Sequence, residues 1–208
     1  MARQEPVQAR SVDSMNRMLD AGVELFLEGG SASLKVELIV EASGCSTGSL
    51  YARFGDMHGY LVALHQRTVD QVEAEFEQAV RKAADCETLE ATLESLCVQI
   101  LAIVKRSRAP LYFFAVGHSH DAAMRSAGAA MAVPSGKIMT DLLRPFLAKP
   151  VGAAARRRLD MVVRMFIAMA FQQIMLEQTE VSTRELGDRA LAREWAATLA
   201  AALDPFVT

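Results

Sequence analysis

The stretch Leu34–Leu61, LKVELIVEASGCSTGSLYARFGDMHGYL, constrains this chain more than any other. Val36, Ile39 and Val40 recur at i, i+3 and i+4, which gives one apolar helical face over about two turns. Ser43-Gly44-Cys45 breaks that pattern, and Gly44 can take a positive φ without steric cost, so the chain turns sharply there. Ser46 follows as an N-cap whose oxygen accepts from the free N–H groups of a second helix. In that helix, Thr47 to Phe54, Leu50 and Phe54 face inward at i, i+4. Thr47, Gly48, Ser49, Ala52 and Arg53 are left outward, with Tyr51 at the edge. A short helix whose exposed first turn is small and polar suits a DNA major groove, because small residues allow close approach and hydroxyls reach base edges and phosphates.

These residues resemble the helix-turn-helix of the TetR family of bacterial transcriptional regulators. The family pattern is roughly Ile-Ala-x-x-Ala-Gly-Val-Ser-x-Gly-x-Leu-Tyr-x-(His/Tyr)-Phe, then a Lys three residues on and a Leu four beyond that. Here it reads Ile39-Val40-Glu41-Ala42-Ser43-Gly44-Cys45-Ser46-Thr47-Gly48-Ser49-Leu50-Tyr51-Ala52-Arg53-Phe54, with Leu61 in the Leu position. The resemblance implies an all-α fold of about nine helices. It implies a three-helix DNA-binding head at residues 1–56 and a helical ligand-binding and dimerisation domain at residues 57–208. It carries DNA contacts onto Lys35, Thr47, Gly48, Ser49, Tyr51 and Arg53. Lys35 stands at the family's Thr position, and Arg53 replaces the usual His or Tyr. Met57 stands where the family has a phosphate-binding Lys, and His58 and Gly59 also depart from the pattern.

Composition is consistent with this. A chain of 208 residues fits a small head plus one core domain. Half of it is hydrophobic, Gly and Pro are few, and strand-like alternation is absent, all of which favours helices. No apolar run approaches the ~18 residues needed to span a bilayer, and the start, MARQEPVQARS, lacks a signal-peptide core, so the expected location is cytoplasmic. Cys45, Cys86 and Cys97 show no paired spacing, which argues against a disulfide framework or a zinc site. Cys45 reads as a small buried hydrophobe, with a redox switch as the alternative. Charge points the other way: residues 1–60 hold five basic and eight acidic side chains, a net −3, although phosphate neutralisation supplies most non-specific DNA affinity. Asp20, Glu24 and Glu28 form one stripe that can face away from DNA.

In chain order, residues 1–10 read as an arm, either disordered or reaching DNA through Arg3 and Arg10. A first helix is expected from Ser11 or Val12 to Glu28, with Ser33 capping the next. After the recognition helix, Asp56 caps a long helix from about Met57 to Ala84. Further helices are expected at Leu89–Lys105, at Pro110–Val116 with Pro110 in the first turn, and from Asp121 to about Leu147, kinked or split at Pro134. A helix at Ala153–Gln178, apolar nearly all round from Met161 to Leu176, and a last one opened by a Ser182/Glu185 capping box complete the chain.

The family's last two helices form a four-helix bundle with their two-fold mates, which implies a homodimer here. A pocket for a small apolar effector is expected among Leu96, Ile100, Tyr112, Phe113, Val116, Met131, Met165, Phe166 and Met169, although each of these residues also suits ordinary core packing. His118-Ser-His120-Asp121 is better explained as a capped helix start than as a metal site. Arg156-Arg157-Arg158 reads as a solvated face. No nucleophile–base pair, phosphate loop or catalytic carboxylate pair is present, and neither cofactor nor enzyme activity is expected. The expected function is a ligand-responsive regulator, a repressor on a pseudo-palindromic double-stranded operator. The alternative is a sensor or interaction module on the same fold with weak or no DNA binding.

Overall fold

In the computed structural model the described backbone covers residues 5–124, 132–176 and 182–207. The α-helices are α1 (Glu5–Gly29), α2 (Val36–Ser43), α3 (Thr47–Phe54), α4 (Met57–Ala83), α5 (Leu89–Tyr112), α6 (Ala132–Leu143), α7 (Ala153–Met175) and α8 (Asp188–Leu203). A π-helical segment, Phe113–Gly117, continues α5, and 3-10 turns occupy Gly30–Ser33, Arg144–Phe146 and Asp204–Phe206. Among the described residues the only β pairing is an isolated antiparallel bridge between Leu147 and Val207. The fold is all-α with an N-terminal helix-turn-helix.

Two compact units divide the chain. One takes in the described residues of Met1–Asp70 and Ala109–Ala127, the other those of Gln71–Arg108 and Gly128–Thr208. The first unit therefore runs past the expected boundary at residue 56, through half of α4, and recruits a segment from the middle of the chain.

The first unit is built on Met18, Leu19, Ile39, Leu50, Tyr60, Leu64, Phe114 and Met124, all essentially removed from solvent. Each such side chain contributes about 1.5–3 kcal/mol of burial. The Tyr60 hydroxyl donates to the Met18 carbonyl at 2.9 Å inside this core. Gly22 is required opposite it, because a Cβ there would lie 2.0 Å from the Tyr60 hydroxyl oxygen.

Several expectations are corrected here. Helix α1 begins at Glu5, so Arg10 lies within it, and the proposed arm contracts to residues outside the described ones, Arg3 included. Pro6 near a helix start costs no hydrogen bond, since the first N–H groups have no helical partner. Ser33 does not cap α2. Its Oγ lies 2.6 Å from the carbonyl oxygens of both Leu25 and Gly30, which share its one proton, and Lys35 holds the N-cap position with no side-chain cap bond.

Pro110 does not open a helix but lies inside α5. Leu111 and Phe114 beyond it are buried, and that packing outweighs the one backbone bond the proline forfeits. Asp121 caps as expected, accepting from the backbone N–H of Ala123 and Met124 at 2.8 and 3.2 Å.

In the second unit, Thr88 caps α5, accepting from Ala91 N at 3.2 Å. Pro134 falls in the described first turn of α6, and the stretch before Ala132 lies outside the described residues. The Ser182/Glu185 capping box does not form. Ser182 accepts from Arg184 N instead, and α8 starts at Asp188 because Gly187 is extended (φ −61°, ψ 148°). Buried Trp195, Leu199 and Leu203 face inward from α8, with Ala192, Ala196 and Ala200 letting it lie close against α7.

Candidate nucleic-acid interface

The turn of the helix-turn-helix is fixed by local chemistry. Gly44 ends α2 at φ 62°, ψ 27°, and its N–H is directed to the carbonyls of Glu41 and Val40. The Cys45 N–H bonds to the Val40 carbonyl at 3.1 Å, closing the helix end. Ser46 then caps α3: its Oγ accepts from Ser49 N at 3.1 Å and donates to Ser49 Oγ at 3.0 Å. Leu50 is fully buried, and Phe54 packs edge-on against Tyr60 with ring centroids 5.1 Å apart. These two anchors fix the rotation of α3 about its own axis.

That rotation leaves Thr47, Gly48, Tyr51 and Ala52 exposed, with Ser49 and Arg53 half-buried. Lys35, at the start of α2, is exposed as well. The Arg53 guanidinium donates to the Ser49 carbonyl one turn back, at 3.2 Å, which lays the side chain along the helix. Two hydroxyls, an amide-accessible glycine, a phenol and two cations thus occupy one end of the head. Such a set can bind phosphates and read base edges.

Sequence reasoning missed several groups that hold this surface in place. The Arg17 guanidinium donates to the Ser43 carbonyl at 3.2 Å and so fastens α1 to the end of α2. Gly59 is needed because a Cβ there would meet the Phe54 carbonyl oxygen at 2.0 Å, and its N–H is capped by Asp56 at 2.8 Å. Met57, at the position of the family's Lys, packs half-buried against the head core. Asp20 on the acidic stripe of α1 is bound by Arg67 of α4 at 3.1 Å, so one of the three stripe carboxylates is paired. Met57 and Gly59 stand out in the sequence as departures from the family pattern and Asp56 as a cap, whereas the Arg17 bond and the pairing of Asp20 with Arg67 left no local signal.

The expected ligand-pocket residues are divided between the two units. Leu96, Ile100 and Phe166 are buried and Met165 and Met169 half-buried in the second unit. Tyr112, Phe113 and Val116 belong to the first unit, where Tyr112 and Val116 are exposed and Phe113 packs 5.3 Å from Phe26. Met131 lies outside the described residues. The division follows from α5, which passes from one unit to the other after Arg108. Within the second unit, a cleft of about 520 Å³ is lined by Leu101, Val104, Lys105, Arg108 and Leu176 among others. A groove of about 690 Å³ is lined by Val133, Gly136, Ile167, Ala168 and Phe171 among others. None of the expected pocket residues lines either. Among the described residues, no group of three or more His, Cys, Asp or Glu side chains is placed to hold a metal. Nor is any helix among them long and apolar enough to cross a membrane.

Residues 18–64 match the model of the bacterial regulatory proteins of the tetR family. No curated protein matches the chain by sequence. Solved structures share its fold at low identity. A TetR-family transcriptional regulator from Mesorhizobium loti superposes with a TM-score of 0.74 at 13% identity, covering 96% of this chain and 99% of its own. A transcriptional regulator from Rhodococcus reaches 0.66 at 14%, covering 92% and 97%. GusR of Salmonella enterica reaches 0.60 at 14%, covering 92% and 95%. With its turn, its cap and its anchored recognition helix in place, residues 18–64 form a TetR-family helix-turn-helix head, and the chain around it has the fold of that family's transcriptional regulators.

Proposed function

We propose that this protein is a repressor that binds a pseudo-palindromic double-stranded operator as a homodimer and leaves it when a small apolar molecule binds. The observation that carries the reading is the face of α3. Thr47, Gly48 and Tyr51 stand in solvent while Leu50 and Phe54 hold the helix from behind. Two such helices would enter successive major grooves about 34–36 Å apart. Tyr51 and Lys35 would contact phosphates, and Thr47, Ser49 and Arg53 would lie nearest the bases.

Dimerisation through the last two long helices is supported by Met161 and Phe171 of α7, which are 52% and 54% exposed. Apolar side chains of this size in solvent favour a protein partner. The effector would act by binding more tightly to the form that cannot span two grooves, since a ligand shifts an equilibrium only by its differential affinity.

A second reading, a sensor or interaction module without DNA binding, is favoured by Met57. That side chain is committed to the head core where a phosphate-binding Lys would reach out. Fluorescence anisotropy on the chain's own upstream DNA, at stated salt, separates the two. Sequence-specific binding supports the repressor. Absence of binding at low salt, with affinity appearing in Met57→Lys, supports the sensor.

A further inference from the structure

All four histidines of the chain, His58, His65, His118 and His120, lie in the first unit, on two segments that meet there. His58 and His65 are seven residues apart on α4, hence on one helical face. The segment that docks on that face is the part of Ala109–Ala127 described here, residues 109–124.

The contact has two parts of different character. At the solvent edge, the His58 Nε2 pairs with the Asp121 carboxylate. At the buried end, His65 is 95% removed from solvent, and its ring stacks on Phe114 with centroids 4.6 Å apart. Phe114 also packs on Phe26 of α1 and on Phe113, and His118 lies edge-on to Phe113 at 4.8 Å. His65 Nδ1 is buried with no hydrogen-bond partner. A nitrogen in that position is tolerable as a lone pair. As an N–H of an imidazolium it would carry charge into an aromatic pocket with no acceptor.

We propose that the docking of residues 109–124 on α4 is a proton-controlled latch, closed while His65 is neutral and opened when His65 takes up one proton.

The charged and titratable groups around it come from every packed element. The docked segment brings His118, His120 and Asp121; α4 brings His58, buried Tyr60 and Arg67, with Asp56 just before its first turn; α1 brings Asp20 at its outer edge, bound to Arg67. Burial and then the neighbouring His118 push His65 below its ordinary value of 6.5. A depressed histidine gives the docked state stability that is complete above the free value and lost as pH falls below it. His58 has the opposite sign. The hydrogen bond and then the charge of Asp121 raise it, so its pair is complete below 6.5 and lost as pH rises through the raised value. The latch is therefore tightest between the free value and the raised value of His58. Both ends of residues 109–124 continue into the second unit along the chain, so opening it frees the head from that segment. None of this requires that the head bind DNA.

Hydrogen exchange of the full chain, followed by mass spectrometry on peptides within 109–124 and corrected for intrinsic rates, tests the latch between pH 5 and 8. One proton per opening predicts that protection falls by up to tenfold per pH unit below about 6.5. His65→Phe, which keeps the stacked ring, should make the acid limb flat. Asp121→Asn, which keeps the helix cap, should preserve the acid limb. Equal acid limbs in wild type and His65→Phe would overturn the proposal, as would loss of that limb in Asp121→Asn. If His65→Phe does not fold, the His65 ring resonance in the wild type decides. Titration at or above the ordinary value refutes the latch, and titration below it, in step with lost protection, supports it.

Discussion

Replacing Gly22 by alanine probes the joint between α1 and α4 on which the head is built. The added methyl would lie 2.0 Å from the Tyr60 hydroxyl oxygen and 3.1 Å from both Leu64 Cδ1 and the Tyr60 ring. The first distance is impossible, so Tyr60 must move. Moving it breaks its 2.9 Å bond to the Met18 carbonyl and strains a side chain with no exposed surface. Overpacking a core costs about 1–3 kcal/mol and an orphaned buried hydrogen bond about 1 kcal/mol more, so the expected loss is about 2–4 kcal/mol. For a chain of this length that lowers the thermal midpoint by roughly 5–15 °C.

Circular dichroism on heating and in urea measures it. The sharper test is the double variant Gly22→Ala/Tyr60→Phe. Removing the hydroxyl removes the 2.0 Å contact, so the double variant should be more stable than Gly22→Ala alone by about 1 kcal/mol or more, a coupling of favourable sign. A Gly22→Ala protein that unfolds at the wild-type midpoint would refute this reasoning. So would a double variant no better than the single one.

Other outcomes follow from the same structure. Leu50→Ala should cost about 2–5 kcal/mol, read from urea unfolding, because Leu50 is fully buried behind the recognition helix. Cys97 should resist a thiol-specific disulfide reagent at pH 8 until the protein is denatured, since burial and then Glu94 push its thiol up to about 12; half-exposed Cys45 and Cys86 should react first. Met57→Lys should steepen the salt dependence of DNA binding by about one phosphate contact, a slope change of about 0.9 in log–log anisotropy data.

What was legible in the sequence was local. Gly44, Ser46, Leu50 and Phe54 lie within a dozen residues of one another, and each acts on its own turn or helix, so their spacing announced the motif. Asp56 and Asp121 were legible as caps for the same reason. What was not legible depends on partners far along the chain. Ser33 looked like a cap because its true acceptors include Leu25, reached only once the 3-10 turn folds back. Gly22 and Tyr60 meet across 38 positions. Pro110 looked like a helix start because nothing local revealed that Phe114 beyond it would be buried against Phe26 and His65. The expected ligand residues are apolar, and apolar character does not distinguish the two units that share α5.

We propose that α3, held from behind by Leu50 and Phe54, offers its outward face as a reading surface. Selection of duplexes from a randomised DNA pool by the full chain, followed by anisotropy on the winners at about 50 mM salt and above, tests it most directly. The account predicts enrichment of a two-fold symmetric sequence, with binding that weakens in Tyr51→Phe and is lost in Thr47→Glu while both variants keep the wild-type unfolding midpoint. Failure to enrich any sequence at low salt, or undiminished binding by Thr47→Glu, would contradict it.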